Sequence, residues 1–190
     1  HIRSMKHIAA ENGYEALMAK LEAPAITKSG KAAVIGGGPA GMAAAYFIRK
    51  AGMEVTLFEK SGALGGVVRH VIPEFRIPQD AIDKDAALLE KMGVNICLNT
   101  EITDLDMLKN ADYTAVVLAV GASEPGVLKL EKGETVNALD FLAQYKETNG
   151  DLDIGKNVVV IGGGNTAMDT ARAVKRTKGV EHSYLVYRRT

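Results

Sequence analysis

The chain has 190 residues, equal numbers of acidic and basic side chains, and a hydrophobic content of 47%. These values are typical of one globular domain or two small ones. No basic stretch is interleaved with aromatic residues, and no apolar run could cross a bilayer, so the sequence indicates neither a nucleic-acid partner nor a membrane span. The single cysteine, Cys97, excludes a disulfide framework or a cysteine-ligated cluster within the chain. Together with the lack of a signal peptide, it predicts a reducing, cytoplasmic compartment.

Residues 1–30 are interpreted as a leader and linker. Residues 1–4 precede Met5 without any pattern, so they are interpreted as a cloning remnant and left out of the fold prediction. Apolar residues then recur at about helical spacing as far as Leu21. Gly13 is predicted to divide this leader into two short helices.

The stretch 31–60 reads as a strand, a glycine turn, a helix and a second strand. Gly36, Gly38 and Gly41 fit the pattern G-x-G-x-x-G, which permits a tight turn, close approach of a pyrophosphate and close packing of the helix. The start of that helix offers unpaired N–H groups to phosphates. Glu59 closes the second strand, where a carboxylate can accept both hydroxyl hydrogens of a ribose. The unit therefore predicts a dinucleotide site; the alternative is a glycine-rich turn with a solvated Glu59.

A second glycine-rich segment, 61–68, follows Glu59. Its glycines either let the backbone pass close to a ligand or form a surface turn, and the sequence favours neither. In the next segment, 72–78, prolines at both ends forbid a helix and flank Arg76. Arg76 could clamp a phosphate with two hydrogen bonds, although on residue type alone a solvated loop arginine is favoured.

The middle of the chain continues as alternating helices and strands. Helical spacing over 82–92 ends at Gly93, and a strand over 94–98 and a short turn or helix over 105–108 follow. The run 113–120 is almost wholly apolar and rich in β-branched residues, which predicts a strand buried on both faces. It leads into a turn at Gly121, which is expected to face the same cofactor because open parallel sheets bind ligands at their carboxyl ends.

The first unit is then repeated. After a more polar connecting segment, 124–154, with a helix over 138–145, residues 155–190 contain a strand followed by Gly162, Gly164 and Ala167 at the three small-residue positions. Alanine is allowed at the third position. The repeat therefore predicts a second nucleotide-binding unit, with a helix over 165–176 and a strand over 183–187.

The two units differ at the end of the second strand. An acid, Glu59, stands there in the first unit, whereas Arg188 and Arg189 stand there in the second. Two cations suit the 2′-phosphate of NADPH, and the alternative is a solvated basic strand end. Two dinucleotide sites in one chain indicate a nicotinamide that passes hydride to a flavin.

These motifs as a set resemble a flavoprotein family, that of the glutamate synthase small subunit and the N-terminal part of dihydropyrimidine dehydrogenase. Within it, the stretches GVVRHVIPEFRIP and KGVEHSYLVYRRT resemble the iron–sulfur flavoprotein subunit of the selenate reductase type. The resemblance covers residues 13–190. It rests on the stretches GGGPAGMAAAYFIRKAG, FEKSGALGGVVRHVIPEFRIP, AVGAS, VVVIGGGNTAMDTARA, and KGVEHSYLVYRRT.

The resemblance implies a Rossmann-like α/β fold. Residues 31–123 would be the N-terminal part of an FAD-binding domain and 155–190 the beginning of an NADPH-binding domain, and electrons would leave the flavin for iron–sulfur clusters on other domains or subunits. By position, the residues assigned to FAD are Gly36, Gly38, Pro39, Ala40, Gly41, Glu59, Lys60, Gly66, Val67, Arg76 and Ile102. Those assigned to NADPH are Gly164, Asn165, Thr166, Ala167, Arg188 and Arg189.

The leading hypothesis is therefore the electron-input module of an NAD(P)H-dependent flavin oxidoreductase. The alternative is a non-catalytic nucleotide-binding or regulatory domain. No metal site or catalytic residue is assigned, because His7, His70 and His182 occur singly. The chain alone is expected to be inactive because its second sheet is incomplete, and to self-associate through the strand edges at 113–120 and 183–187.

Overall fold

The computed structural model describes residues 1–122, 124, 126, 128 and 130–188. Its packing divides the chain into two compact units. The first comprises His1–Gly66 and Asp80–Gly121, and the second comprises Val67–Gln79 and Ala122–Thr190. The helices and strands, in chain order, are α1 (Ile2–Lys20), β1 (Lys31–Ile35), α2 (Pro39–Lys50), β2 (Glu54–Phe58), α3 (Val67–His70), α4 (Gln79–Lys91), β3 (Asn95–Cys97), α5 (Asp106–Asn110), β4 (Tyr113–Leu118), α6 (Ala138–Glu147), β5 (Asn157–Ile161), α7 (Asn165–Val174) and β6 (His182–Val186).

The first unit is built on a parallel sheet with the strand order β3-β2-β1-β4. β1 lies inside this sheet and pairs with β2 from Lys31 opposite Glu54 to Ile35 opposite Phe58. A parallel sheet needs crossover helices, and α2 supplies the one between β1 and β2. This arrangement confirms the predicted Rossmann-like α/β fold. The main apolar core of the unit consists of Ala32, Val34, Met42, Ala45, Val55, Leu57, Leu64, Leu89, Met92 and Val94.

The start of α2 packs directly against the glycine turn that follows β1. A Cβ atom added to Gly41 would lie 1.8 Å from the carbonyl oxygen of Gly36, well inside van der Waals contact. Only a residue without a side chain fits at this approach, which is the packing role predicted for the third glycine. The turn itself needs a positive φ, since Gly36 has φ 103°.

Two sequence-based predictions about the first unit are wrong. α1 is one helix and is not divided at Gly13, because a glycine in a helix costs only about 1 kcal/mol. β4 is not buried on both faces: Leu118 is 60% exposed and Val116 is 39% exposed. β4 is the last strand in the sheet order, and four of its six residues are exposed. No helix within the described ranges is long and apolar enough to span a membrane.

The second unit contains the parallel pair β5-β6 with α6 and α7. Asn137 caps α6, where its side-chain oxygen accepts a hydrogen bond from the Leu139 N–H at 2.8 Å. One face of α6 and one face of α7 pack into a small apolar core within this unit. Its buried members are Phe141, Leu142, Val160, Ala173 and Val174, with Val71 packed against them.

Residues 67–79 belong to the second unit, although the sequence-based division placed them in the first domain. The ammonium of Lys146, on α6, explains the difference. It donates to the carbonyl oxygens of Arg69 at 2.5 Å and Ile72 at 2.8 Å. Because those carbonyls lie at the end of the short helix α3, a cation on α6 holds the segment in place. The assignment of the two parts of the chain to FAD and NADPH stays a prediction.

The glycine packing generates a first prediction. Gly41→Ala should lower the free energy of unfolding by roughly 1 to 3 kcal/mol, because the added methyl forces α2 away from the turn. Gly13→Ala is the matched control, since a Cβ there meets nothing within 4 Å; it should stabilise the protein slightly. Urea unfolding monitored by circular dichroism measures both, and equal stability of the two variants would contradict the close approach.

A second prediction concerns Lys146. Burial lowers its pKa below the ordinary value of 10.5; the charge of Glu74 opposes this shift, and that of Arg69 adds to it. Between the lowered pKa and 10.5 the unfolded state binds more protons than the folded state, so the contribution of Lys146 to stability should rise with pH. It should fall away as the pH drops through the lowered pKa.

The measurement is the difference in unfolding free energy between the wild type and Lys146→Met across alkaline pH. This difference should grow in favour of the wild type as the pH rises. Lys175→Met is the control because Lys175 is exposed on the same unit. A flat difference for Lys146→Met, matching that for Lys175→Met, would refute the assignment.

Candidate functional site

In both units, an equivalent backbone hydrogen bond joins the glycine turn to the end of the next strand. The N–H of Gly36 donates to the carbonyl oxygen of Phe58 at 2.8 Å, and the N–H of Gly162 donates to that of Val186 at 2.9 Å. In each case the first glycine after one strand binds the last residue of the next. The structure therefore confirms the internal repeat that the glycine spacing indicates.

The first glycine turn leads into a helix start that is open to solvent. Gly38 caps α2, and the next two residues, Pro39 and Ala40, are exposed. A Cβ at Gly38 would meet only the Cα of Gly66, at 4.0 Å. Open space beside Gly38, together with first-turn N–H groups that have no helical partner, fits a phosphate ligand.

Glu59 lies at the end of β2 and is 7% exposed. Its Oε2 accepts a hydrogen bond from the Gly37 N–H at 2.6 Å, and its Oε1 accepts from the N–H and the hydroxyl of Ser61, both at 2.8 Å. A buried carboxylate needs such donors to offset its lost hydration. Glu59 therefore fixes the glycine turn to the end of the next strand, which excludes the alternative of a solvated side chain.

The second glycine-rich segment lies against the first. The N–H of Gly65 donates to the carbonyl oxygen of Gly37 at 2.8 Å. A Cβ at Gly66 would come within 2.9 Å of the Cα of Gly38. This close approach of two backbones is the reason for glycine here, and it brings Gly66, Gly38 and Glu59 to one end of the sheet.

Other predicted residues of the first unit surround this end. The N–H of Ala119 donates to the carbonyl oxygen of Ile35 at 2.8 Å, so the chain after β4 runs beside the glycine turn. Gly121 is exposed two residues further on. Lys60 is exposed beside Glu59, and Ile102 packs against a small cluster formed by residues of β1 and α5.

The second glycine turn has the same form. Gly164 caps α7, a Cβ there would meet nothing within 4 Å, and Asn165 and Thr166 are exposed at the first turn of the helix. Ala167 is half-buried, and its Cβ faces Gly162 as the third small residue should. This helix start is therefore also open to an anionic ligand.

The ring of Tyr187 covers one side of that turn. A Cβ at Gly163 would lie 2.5 Å from the Tyr187 ring, so the ring contacts the turn backbone. Arg188 follows at the end of β6 and is exposed. Arg189, predicted to bind the 2′-phosphate together with Arg188, lies outside the described residues.

The structure places two residues predicted to bind FAD in the second unit. Val67 begins α3 and is 43% exposed. The Nε of Arg76 lies 3.1 Å from Oδ1 of Asp169, on α7. Arg76 is therefore ion-paired and is not a freely solvated loop arginine.

Sequence reasoning missed Ser61, Asp169 and Lys146. The signal for Ser61 is its place two residues after Glu59, where a hydroxyl reaches back to the carboxylate. The signal for Asp169 is an acid at a helical position whose neighbours Thr170 and Ala173 are buried.

Among the described residues, no group of three histidine, cysteine, aspartate or glutamate side chains could hold a metal ion.

Curated relatives cover the chain at substantial identity. Over the whole length of the chain, it is 42% identical to the protein named as oxidoreductase YgfK of Escherichia coli (strain K12). The match spans 19% of YgfK. The chain is 40% identical to the NAD-dependent dihydropyrimidine dehydrogenase subunit PreT of the same organism, across 80% of the chain and 38% of PreT. It is 36% identical to the NADPH-Fe(3+) oxidoreductase subunit beta of Geobacter sulfurreducens, across 88% of the chain and 26% of that subunit.

A solved structure shares the fold. The complex of 2-naphthoyl-CoA reductase with 2-naphthoyl-CoA superposes with a TM-score of 0.65 and 28% identity, over 94% of this chain and 26% of the reductase chain. The pyridine nucleotide-disulphide oxidoreductase family matches residues 30–190, which include both glycine turns. With two closed strand–turn–helix units of this kind, the chain belongs to the pyridine nucleotide-disulphide oxidoreductase family.

Proposed function

We propose that the chain is the nucleotide-binding part of an NAD(P)H-dependent flavin oxidoreductase, in which the first unit binds FAD and the second binds NADPH. The observation that carries this proposal is the repeated turn with opposite charges beside it. Gly36 and Gly162 make the same hydrogen bond to the end of the next strand. Beyond that strand lies a buried Glu59 in the first unit and an exposed Arg188 in the second. One fold element with two charges suits two different dinucleotides.

In the first unit, residues of the chain bind and orient. The N–H groups at the start of α2 would receive the pyrophosphate, and Glu59 would accept the ribose hydroxyls. Bound flavin would supply the capacity to accept hydride and release electrons singly. The glycines at positions 38 and 66 leave no side chain between the backbone and the ligand, as the open space beside Gly38 allows.

In the second unit, the start of α7 would receive the NADPH pyrophosphate, and Arg188 with Arg189 the 2′-phosphate. The names of the relatives mention both NAD and NADPH, so they do not select the coenzyme of this chain. Tyr187 stands at the position that Glu59 holds in the first unit, and the exposed Arg188 follows it, so this position offers no acid to the ribose of NADH. This supports NADPH.

The proposed partners are electron acceptors, and the cysteine content of the chain bears on them. Its one cysteine cannot form a redox disulfide within the chain, so electrons from the flavin need another acceptor. Iron–sulfur domains or subunits of the full-length protein are the proposed acceptors, and PreT and the Geobacter protein are themselves named as subunits. Self-association through the strand edges also stays a prediction, which light scattering of the isolated chain tests.

Absorbance of the purified full-length protein tests the proposed function. Flavin absorbance that is released on denaturation and bleached by NADPH under anaerobic conditions is the expected result. A protein that binds no flavin even after incubation with FAD would contradict the proposal. It would favour the alternative of a non-catalytic nucleotide-binding or regulatory domain.

The role of Glu59 gives a third prediction. Glu59→Ala removes charge-assisted contacts worth roughly 1.5 to 3 kcal/mol, so the dissociation constant for FAD should rise by about 10- to 100-fold. Glu54→Ala is the control, because Glu54 is exposed at the other end of the same strand. Titration of the apoprotein with FAD, followed by flavin fluorescence, measures both variants, and an unchanged FAD affinity in Glu59→Ala would refute this role.

The role of Arg188 gives a fourth prediction. Arg188→Ala should lower kcat/KM for NADPH by about 10-fold or more and leave that for NADH nearly unchanged, since only the 2′-phosphate loses a partner. Dye reduction by the full-length protein measures both coenzymes. Lys175→Ala, another exposed cation of the second unit, is the control. An equal loss for both coenzymes would show that Arg188 does not select the 2′-phosphate.

A further inference from the structure

A buried carboxylate lies in the second unit away from its glycine turn. Asp169, in the middle of α7, is 8% exposed. Its Oδ1 lies 3.1 Å from Nε of Arg76 and 3.9 Å from Nη1 of Arg172, and it makes no well-aligned hydrogen bond. Burial of such a charge is costly, and a buried ion pair alone is a weak source of stability. The strand–turn–helix unit does not require an acid here, so Asp169 calls for another explanation.

The segment that carries Arg76 is held independently of Asp169. Lys146 binds the carbonyl oxygens of Arg69 and Ile72. Beyond them, the guanidinium of Arg176 lies 4.5 Å from the centre of the Phe75 ring, within the range of a cation–π contact. The backbone on the N-terminal side of Arg76 is therefore fixed without the ion pair.

What Asp169 determines is the direction of the Arg76 side chain. A guanidinium carries five N–H donors, and a carboxylate beside Nε leaves the two Nη groups as a fork that matches a phosphate. The Arg76 side chain is 44% exposed. Among the described residues, the Arg76 side chain makes its polar contact through Nε, with Asp169. The fork is thus available to a ligand.

The local charge also favours an anion. Two guanidiniums, those of Arg76 and Arg172, lie within 4 Å of the single Asp169 carboxylate. One positive charge is left in excess beside a partly buried site. An oxyanion would balance it, and a phosphate offers two oxygens to a guanidinium fork.

We propose that Asp169 is a positioning residue that holds Arg76 so that its Nη groups bind a dinucleotide phosphate. The proposal rests on the proposed function, because it takes FAD and NADPH as the ligands of the protein. Both carry a pyrophosphate, so either could supply the phosphate, and separate titrations identify which one does. Asp169 acts through Arg76 and does not contact the ligand.

The test is a double-mutant cycle on binding, carried out with the full-length protein. Dissociation constants for FAD, with apoprotein, and for NADPH are measured by fluorescence for the wild type, Arg76→Ala, Asp169→Asn and the double variant. Arg76→Ala should weaken one of the two dinucleotides by about 10-fold or more. Asp169→Asn should weaken the same dinucleotide, and it should add nothing further in the Arg76→Ala background.

Two more variants separate positioning from simple stability. Arg76→Lys keeps a cation beside Asp169 but lacks the fork, so it should lose most of the affinity while the melting temperature is retained. Asp151→Asn is the matched control, since it breaks an exposed ion pair with Lys178 in the same unit. It should change neither dissociation constant.

The outcomes are distinct. If Asp169→Asn lowers the melting temperature but leaves both dissociation constants unchanged, Asp169 is only structural and the proposal is overturned. If its effect on binding persists in the Arg76→Ala background, Asp169 does not act through Arg76. If the wild type binds FAD and NADPH but no Arg76 variant alters either affinity, the phosphate role fails while the proposed function stands. If the wild type binds neither dinucleotide, the proposed function itself fails.

Discussion

The fold depends on one hydrogen bond made twice. The N–H of Gly36 binds the carbonyl oxygen of Phe58, and the N–H of Gly162 binds that of Val186. This bond lets the chain leave one strand and turn at once into a helix while the next strand stays in register beside it. The helix start then lies at the carboxyl end of the sheet with its first N–H groups open, which is the arrangement that binds phosphate. The proposed recognition of nucleotide and the link between turn and sheet would thus come from the same few residues.

In the first unit the buried carboxylate of Glu59 strengthens this link between the glycine turn and the sheet. Glu59 is buried, and the N–H groups of Gly37 and Ser61 compensate its lost hydration. The carboxylate therefore has a structural task before any ligand binds: it ties the glycine turn to the end of β2. The bare backbones of Gly38 and Gly66 next to it are held together by the same packing. A ligand at this end would meet donors and an acceptor that are already oriented, which reduces the entropy cost of binding.

The sequence predicts well what is local and poorly what joins distant parts. Glycine spacing and apolar periodicity predicted most strands and helices and both turns, because each needs only residues that lie close together in the sequence. The ion pair of Arg76 with Asp169 and the contacts of Lys146 could not be predicted, since nothing in spacing indicates which surfaces meet. The error at Gly13 is of another kind. A glycine is a weak obstacle to a helix, and its cost was overestimated from residue type.

If the two units bind FAD and NADPH as proposed, the same strand–turn–helix element would serve two coenzymes and depend on the ligand-binding residues for its stability to different degrees. Glu59, the residue that follows β2, is buried and binds the turn, so in the first unit the proposed ligand choice would depend on the same carboxylate as stability. In the second unit the ring of Tyr187 contacts the turn, and the charge moves one residue further on, to the exposed Arg188. A change at an exposed arginine leaves the packing of the turn intact. Under the proposed function, coenzyme preference could therefore vary in the second unit without loss of the fold, whereas in the first unit it would be tied to the stability of the sheet.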